Sequence, residues 1–223
     1  MKCPHCSIHF HDNWNQSYFD RSGNYLATDV GGVRAYWMYR SALCPRCRDF
    51  TIEITLGKDQ TPLRDWRQIY PIGANRGPVP AEVPDNLSQD YIEACNVLPI
   101  SAKASAALSR RCLQNTLHAA EYKAKDLSKE IDLLLNETDP KKALPHKLRE
   151  TVDAIRNFGN FSAHPIDDKT TLQVIDVEPH EAEWCLETIE ELFEHFYVGP
   201  AAAKAKKDVL NLKLAAAGKP AAK

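Results

Sequence analysis

The chain has 223 residues, of which 43% are hydrophobic and 26% are charged, a composition typical of a soluble globular protein. This length fits one medium domain or a small domain attached to a larger one. We find neither an apolar run long enough to span a bilayer nor the apolar N-terminal stretch that a secretory signal needs. The sequence therefore predicts a cytoplasmic protein without a membrane partner.

Two Cys-x-x-Cys pairs lie near the start of the chain, Cys3 and Cys6 in CPHC and Cys44 and Cys47 in CPRC. Each such turn presents two thiolates from one side of a tight loop, and two loops complete a tetrahedron around Zn²⁺. In a cytosolic protein, close cysteine pairs more often bind metal than form disulfides. We therefore predict a small β-rich zinc ribbon over residues 1–74, with a structural Zn²⁺ held by these four cysteines.

Three histidines lie close to the first cysteine pair and compete with it as candidate ligands. They are His5, His9 and His11. Because four thiolates already fill a tetrahedral site, these imidazoles are expected to be solvated loop residues instead.

The rest of the chain is predicted to be helical after a linker. Residues 75–86 contain three prolines within seven residues and indicate a linker or an extended strap. Residues 87–198 show apolar residues at helical spacing in five stretches, with Asp126 as an N-cap and Pro179 in a first turn. Five helices with short connections predict a compact bundle, so the predicted fold class is mainly α.

The charge is distributed unevenly along the chain. Residues 1–80 carry ten Lys and Arg against seven Asp and Glu, residues 81–198 carry twelve against twenty-two, and residues 199–223 carry six against one. Residues 81–198 therefore have a net charge of −10, which repels a phosphate backbone. Nucleic acid would bind the N-terminal module, a local basic patch or the tail instead. This Ala/Lys-rich tail is expected to be mobile, or to form a short amphipathic helix on a partner.

A row of polar residues ends the fourth predicted helix, in RNFGNFSAHP. Arg156, Asn160 and His164 lie four residues apart and would share one side of a continuing helix. Gly159 interrupts the row and indicates either the close approach of a neighbouring helix or a helix end in left-handed conformation. The polar row is therefore either a proton-transfer site or a set of helix-end hydrogen bonds.

Three stretches, ALSRRCLQNTL, LPHKLRETVDAIRNFGNFSAHP and LFEHFYV, resemble the helical domain of unknown function found beside, or fused to, restriction-endonuclease subunits. The resemblance covers about residues 79–198. That family looks like a branch of the HEPN superfamily and often has a zinc-ribbon-like N-terminus. The resemblance implies a HEPN-like bundle of about five helices, a homodimer, and a role in prokaryotic defence.

Catalytic HEPN proteins are dimeric ribonucleases whose Arg-Asn-x-x-x-His motif surrounds one phosphate. Asn160 and His164 match this motif, but the residue before the Asn is not Arg. Metal-independent RNA cleavage needs a base, an acid and a cation, so Arg156 or Arg111 would have to supply the positive charge. The alternative for Arg111 is an ion pair with an acidic neighbour such as Asp153.

These observations give three functional hypotheses. The leading one is a module of an anti-phage or restriction-linked system that binds a partner protein, RNA or DNA as a dimer. The second is a HEPN-type ribonuclease toxin or effector that uses His164 with Arg156 or Arg111. In the third, the ribbon reads DNA through cations and stacking surfaces on Arg34, Tyr36, Trp37, Arg40, Arg46 and Arg48.

Overall fold

Two compact units make up the chain, Met1–Pro78 and Val79–Lys223, which we call the N-terminal unit and the helical unit. The computed structural model describes residues 1–6, 8–21, 23–73, 76–156 and 176–222. No helix within these ranges is long and apolar enough to cross a membrane.

The N-terminal unit is built on a curled antiparallel sheet of six strands. β5 lies at its centre, paired with β1 and β4 along one edge and with β6 along the other, while β6 also pairs with β7 and β8. β2 and β3 form a separate two-stranded sheet. The strands are β1 (Asn15–Tyr18), β2 (Asp20–Arg21), β3 (Asn24–Tyr25), β4 (Ala27–Val30), β5 (Val33–Leu43), β6 (Phe50–Lys58), β7 (Thr61–Pro62) and β8 (Arg67–Tyr70).

Two tight connections determine how the strands pair. Gly31 and Gly32 join β4 to β5, and both have positive φ, 56° and 78°. A two-residue turn of type I′ requires positive φ at both positions, which glycine adopts without steric cost. The CPRC loop joins β5 to β6, whose pairing ends with Leu43 opposite Phe50. The second cysteine pair is therefore held at one end of the two longest strands.

Gly57 lies where β6 approaches its neighbours too closely for a side chain. A Cβ there would overlap the sulfur of Met38 and lie 2.7 Å from the carbonyl oxygen of Thr61. We expect Gly57→Ala to lower the free energy of unfolding of the N-terminal unit by about 1–3 kcal/mol, the usual cost of overpacking. Denaturant titration with zinc present measures this loss, with the exposed neighbour Lys58→Ala as control. Equal midpoints for the two variants would contradict the expectation.

The described part of the helical unit has six α-helices, α1 to α6, with one π-helical turn before α6. The bounds are α1 (Asp85–Val97), α2 (Ala102–Ala119), α3 (Leu127–Leu135), α4 (His146–Ile155), α5 (Pro179–Phe193), the π-helical turn (Glu194–Val198) and α6 (Gly199–Ala216). The segment expected to be a mobile tail is therefore helical over most of its length.

Side chains at the helix starts explain where several helices begin. Ser101 accepts a hydrogen bond from the backbone N–H of Ala104, and Asp126 accepts one from Lys129 at 3.0 Å. α5 opens with a capping box between Glu178 and Glu181, and Pro179 occupies the first turn of the helix. The predicted N-cap at Asp126 and the predicted first-turn proline are thus confirmed.

One hydrophobic core joins the helices from α2 to α5. It follows the apolar stripes expected from helical spacing, since residues three and four apart share a helix face. Its buried members are Leu113, Leu117, Tyr122, Leu127, Ile131, Leu134, Leu144, Leu148, Val152, Ile155, Cys185 and Leu192.

The predicted fold class, a mainly α HEPN-like bundle preceded by a small ribbon, is wrong. Helices account for 44% of the chain and strands for 20%, and the six-stranded sheet is a structural layer in its own right. The fold is therefore mixed, with an antiparallel sheet in one unit and helices in the other. Part of the sheet gives little signal in the sequence, because short strands such as β1 (NQSY) are exposed and lack apolar alternation.

Candidate functional site

The four predicted metal ligands form one cluster. The Sγ atoms of Cys3, Cys6, Cys44 and Cys47 all lie within 4.8 Å of one another. Two cross-loop pairs, Cys3 with Cys47 and Cys6 with Cys44, are each separated by 3.7 Å. Sulfur atoms at about 2.3 Å from a tetrahedral metal lie about 3.8 Å apart, so this arrangement fits a metal ion. The cluster could therefore bind a metal.

Backbone hydrogen bonds shape the two loops that carry these cysteines. The N–H of Cys3 donates to the carbonyl of Ile8, and the N–H of Cys44 donates to that of Asp49, both at 2.9 Å. Arg48 adopts φ of 64°, which lets its N–H donate to the carbonyl of Cys44 at 3.0 Å. Each loop thus directs its pair of thiols to one side.

The two loops also bind each other through His5. Its Nε2 lies 2.8 Å from the carbonyl oxygen of Phe50, and its Nδ1 lies 3.4 Å from a carboxylate oxygen of Asp49. The ring packs on Tyr70, with 5.4 Å between centroids. His5 therefore links the loops from outside the thiol cluster, and neither His9 nor His11 belongs to the cluster found among the described residues.

The thiols of the cluster differ in their protonation. Burial raises the pKa of Cys3 to about 12. Burial acts on Cys44 in the same direction, but hydrogen bonds from the backbone of Cys47 and Arg46 and from the thiols of Cys47 and Cys3 together outweigh it and lower its pKa to about 6. A cation bound between the loops would hold the sulfurs as thiolates, since coordination removes the proton from a thiol.

Two of the other cysteines are core residues of the helical unit. Burial raises the pKa of both Cys112 and Cys185 to about 12, so each is a neutral thiol at pH 7. Buried neutral thiols are poor nucleophiles and poor metal ligands. These two side chains therefore serve packing.

A second candidate site lies on one face of the N-terminal sheet, and we call it the sheet hollow. Trp37 is opposite Leu56 in the strand register, and Ile54 is opposite Arg67. With Arg64, these residues line a hollow of about 210 Å³, and the Trp37 residue is 37% exposed. Thr55 also lines the hollow, and its hydroxyl donates a hydrogen bond to the carbonyl of Arg64 at 2.9 Å.

The electrostatics of the sheet hollow favour an anion. Arg64 and Arg67 both line it, against the single carboxylate of Asp65. Neither arginine forms an ion pair with a residue that the structure describes. An exposed indole beside two such guanidinium groups combines a stacking surface with positive charge.

Arg40, one of the predicted cations of the ribbon, has a structural position instead. Its guanidinium lies between two indole rings, 4.3 Å from the centroid of Trp14 and 4.6 Å from that of Trp66. It also forms an ion pair with Glu53 on the neighbouring strand at 2.5 Å. This residue therefore joins strands and aromatic side chains. Arg46 and Arg48 are exposed on the CPRC loop.

The structure pairs both arginines proposed for catalysis with carboxylates. Arg156 lies 2.9 Å from Asp132 and 3.1 Å from Asp153. Arg111 lies 2.6 Å from Asp90 and 2.7 Å from Glu93. Arg111 therefore does not pair with Asp153, as suggested, but with Asp90 and Glu93. In both clusters the carboxylates neutralise much of the positive charge that would bind a phosphate.

Asn160 and His164 lie outside the described residues. The geometry of the proposed catalytic row is therefore not defined beyond Arg156. The ribonuclease hypothesis stays a prediction.

A buried acidic residue in the helical unit went unrecognised in the sequence. The Glu130 side chain is fully buried and accepts hydrogen bonds from His118 at 2.6 Å and Gln114 at 3.3 Å. Its other carboxylate oxygen has no hydrogen-bond partner among the described residues. The available signal was its place in the apolar stripe of α3, one residue before Ile131 and three after Leu127.

Comparison with known families gives a match over the helical unit. A family model described as a domain of unknown function, DUF4145, matches residues 92–213, more than half of the chain. The match runs from α1 into α6 and leaves out the thiol cluster and the sheet hollow. Comparisons with curated proteins and with solved structures gave no significant match.

Proposed function

The chain belongs to the DUF4145 family, whose function is unknown, and we propose that it is a binding module whose zinc-stabilised sheet holds single-stranded nucleic acid. The module acts in the cytoplasm, as part of a prokaryotic defence system. This setting is supported by the sequence resemblance to domains that accompany restriction-endonuclease subunits.

Zinc is the metal that this ligand set favours. Four thiolates in a tetrahedron select zinc or an iron–sulfur centre, and paired Cys-x-x-Cys loops of this size suit a single Zn²⁺. A site closed by four protein ligands leaves no position for water or substrate. The metal therefore stabilises the N-terminal unit and takes no part in chemistry.

The observation that carries nucleic-acid binding is the grouping of Trp37, Arg64 and Arg67 around one hollow. Bases stack on exposed aromatic rings whatever their sequence, and guanidinium groups bind the phosphates on either side. A hollow with one indole takes an unstacked base, which favours a single strand over a duplex. The net negative charge of the helical unit repels phosphates, so a nucleic-acid strand binds the N-terminal unit in preference to it.

Fluorescence anisotropy with labelled oligo-dT and oligo-U tests this proposal on the zinc-loaded full chain. We expect Trp37→Ala to weaken binding by about 1–3 kcal/mol, the usual loss for one stacked base. Trp184→Ala is the matched control, because Trp184 is also 37% exposed but belongs to the helical unit. Comparing the two oligonucleotides separates DNA from RNA as the preferred ligand.

Salt dependence gives a second test of the same site. Arg67→Ala should reduce the slope of log affinity against log salt by about 1, since one phosphate contact is lost. Binding that is absent at low salt, or that falls equally in the Trp37 and Trp184 variants, would contradict nucleic-acid binding at the hollow. Capture of a protein partner that is lost in Trp37→Ala would assign the hollow to protein binding instead.

A further inference from the structure

The last helix, α6, follows the π-helical turn and is largely exposed within the part of the chain that the structure describes. It is 18 residues long, and none of its residues is buried. Val209 is 55% exposed and Leu212 is 72% exposed. Helices in proteins take most of their stability from packing an apolar face, so a helix of this length whose apolar residues are exposed indicates an external partner.

The exposed residues of α6 form a seam with the spacing of a coiled coil. Ala202, Ala205, Val209, Leu212 and Ala216 follow one another at intervals of three, four, three and four residues, and all five are exposed. These are the a and d positions of a heptad, which lie on one side of a helix and interlock with a second helix. The alanines at the start of the seam permit close approach of two backbones.

The charges beside the seam favour a second copy in parallel orientation. In the heptad, Asp208 occupies a g position, and Lys206 and Lys213 occupy e positions. In a parallel pair, a g residue meets the e residue five positions later on the other helix, which places Asp208 beside the partner's Lys213. In an antiparallel pair, e faces e, which brings lysines together. Only the parallel arrangement is electrostatically complementary.

We propose that α6 pairs with α6 of a second copy as a short parallel coiled coil and makes the protein a homodimer. The seam Ala202–Ala205–Val209–Leu212–Ala216 is the interface, and two symmetric contacts between Asp208 and the partner's Lys213 set the direction. Each contact is repeated by the two-fold axis, as in other closed dimers. This dimer depends neither on the sheet hollow nor on the thiol cluster.

Sedimentation equilibrium of the zinc-loaded full chain tests the interface. Leu212→Glu should raise the dimer dissociation constant by more than about tenfold, because it brings two charges into an apolar seam. Leu210→Glu is the matched control: Leu210 is 46% exposed on the same helix but lies outside the a and d positions. Since both leucines are exposed, both variants keep the fold, and circular dichroism checks this. The Leu210→Glu control should keep the dimer dissociation constant of the wild type.

A charge exchange tests the direction of the pair. Lys213→Asp should raise the dissociation constant by about threefold to tenfold, since two attractive contacts become repulsive. The double variant Asp208→Lys with Lys213→Asp should recover most of this loss. Strengthening by Lys213→Asp alone would overturn the parallel arrangement, because only an antiparallel pair places Lys206 opposite residue 213.

Two further outcomes would overturn the dimer itself. One is a wild-type chain that stays monomeric up to about 100 µM, a concentration at which a pair with a dissociation constant of about 10 µM is mostly dimeric. The other is equal behaviour of the Leu210 and Leu212 variants. Binding of the monomeric chain to phosphatidylserine vesicles, lost in both leucine variants, would assign α6 to a membrane surface instead.

Discussion

Replacing Cys44 with Ser should release the metal and unfold the N-terminal unit. Cys44 is only 1% exposed and joins the CPRC loop to the end of β5. A structural zinc contributes about 10–16 kcal/mol of apparent binding free energy, which is as large as the whole stability of a typical domain. Losing one of four thiolates therefore removes more free energy than a unit of this size can spare.

Zinc content and circular dichroism measure this effect together. Cys185→Ser is the matched control, since it makes the same chemical change at a buried cysteine of the helical unit. That variant should lose about 1–3 kcal/mol for burying a hydroxyl and keep its zinc. A Cys44→Ser protein that retains both zinc and the β-sheet signal would show that the cluster is not what holds the unit together.

The second large effect is expected at the buried carboxylate of the helical unit. His118→Ala removes the nearest partner of Glu130, which is completely buried. Leaving a buried carboxylate without its hydrogen-bond partner costs about 1–3 kcal/mol, and we expect about 3 here because the Glu130 side chain is fully buried. Chemical denaturation of the helical unit measures this loss.

Two companion variants separate burial from pairing. His146→Ala breaks a surface pair of the same type with Glu150, where the side chains are 87% and 71% exposed, and should change stability by less than about 0.5 kcal/mol. The double variant His118→Ala with Glu130→Leu should recover most of the stability, because an apolar residue needs no partner at this position. Equal losses from His118→Ala and His146→Ala would contradict a buried carboxylate that needs its imidazole.

The thiol cluster could be predicted from the sequence because its signal is local. Cys-x-x-Cys fixes two thiols on one tight loop, and two such loops have few uses other than a shared metal. The N-cap at Asp126 and the first-turn proline Pro179 were predictable for the same reason, since each depends on its own few neighbours.

The fold class could not be predicted because it depends on pairing between distant segments. β1 (NQSY) and β8 (RQIY) carry little apolar alternation, yet the register of β5 and β6 brings both into the sheet. Helical spacing gave the separate helices of the other unit correctly, but it does not show which layers a chain builds around them.

The sheet hollow could be predicted only in part. Trp37 was identified as a stacking residue, but Arg64 and Arg67 come from a segment that reaches it only through strand pairing. Arg40 shows the reverse. Its positive charge suggested a nucleic-acid contact, but its guanidinium is held between Trp14 and Trp66. The partners of Arg111 and Arg156 likewise depend on which helices are neighbours, which spacing along one helix does not determine.

X-ray absorption at the zinc edge, combined with metal analysis of the purified full chain, tests most directly whether four cysteines hold one zinc. We expect one zinc per chain, surrounded by four sulfur atoms at about 2.3 Å with no nitrogen or oxygen neighbour. A mixed shell containing an imidazole nitrogen, or a folded chain that purifies without metal and binds none, would contradict the account.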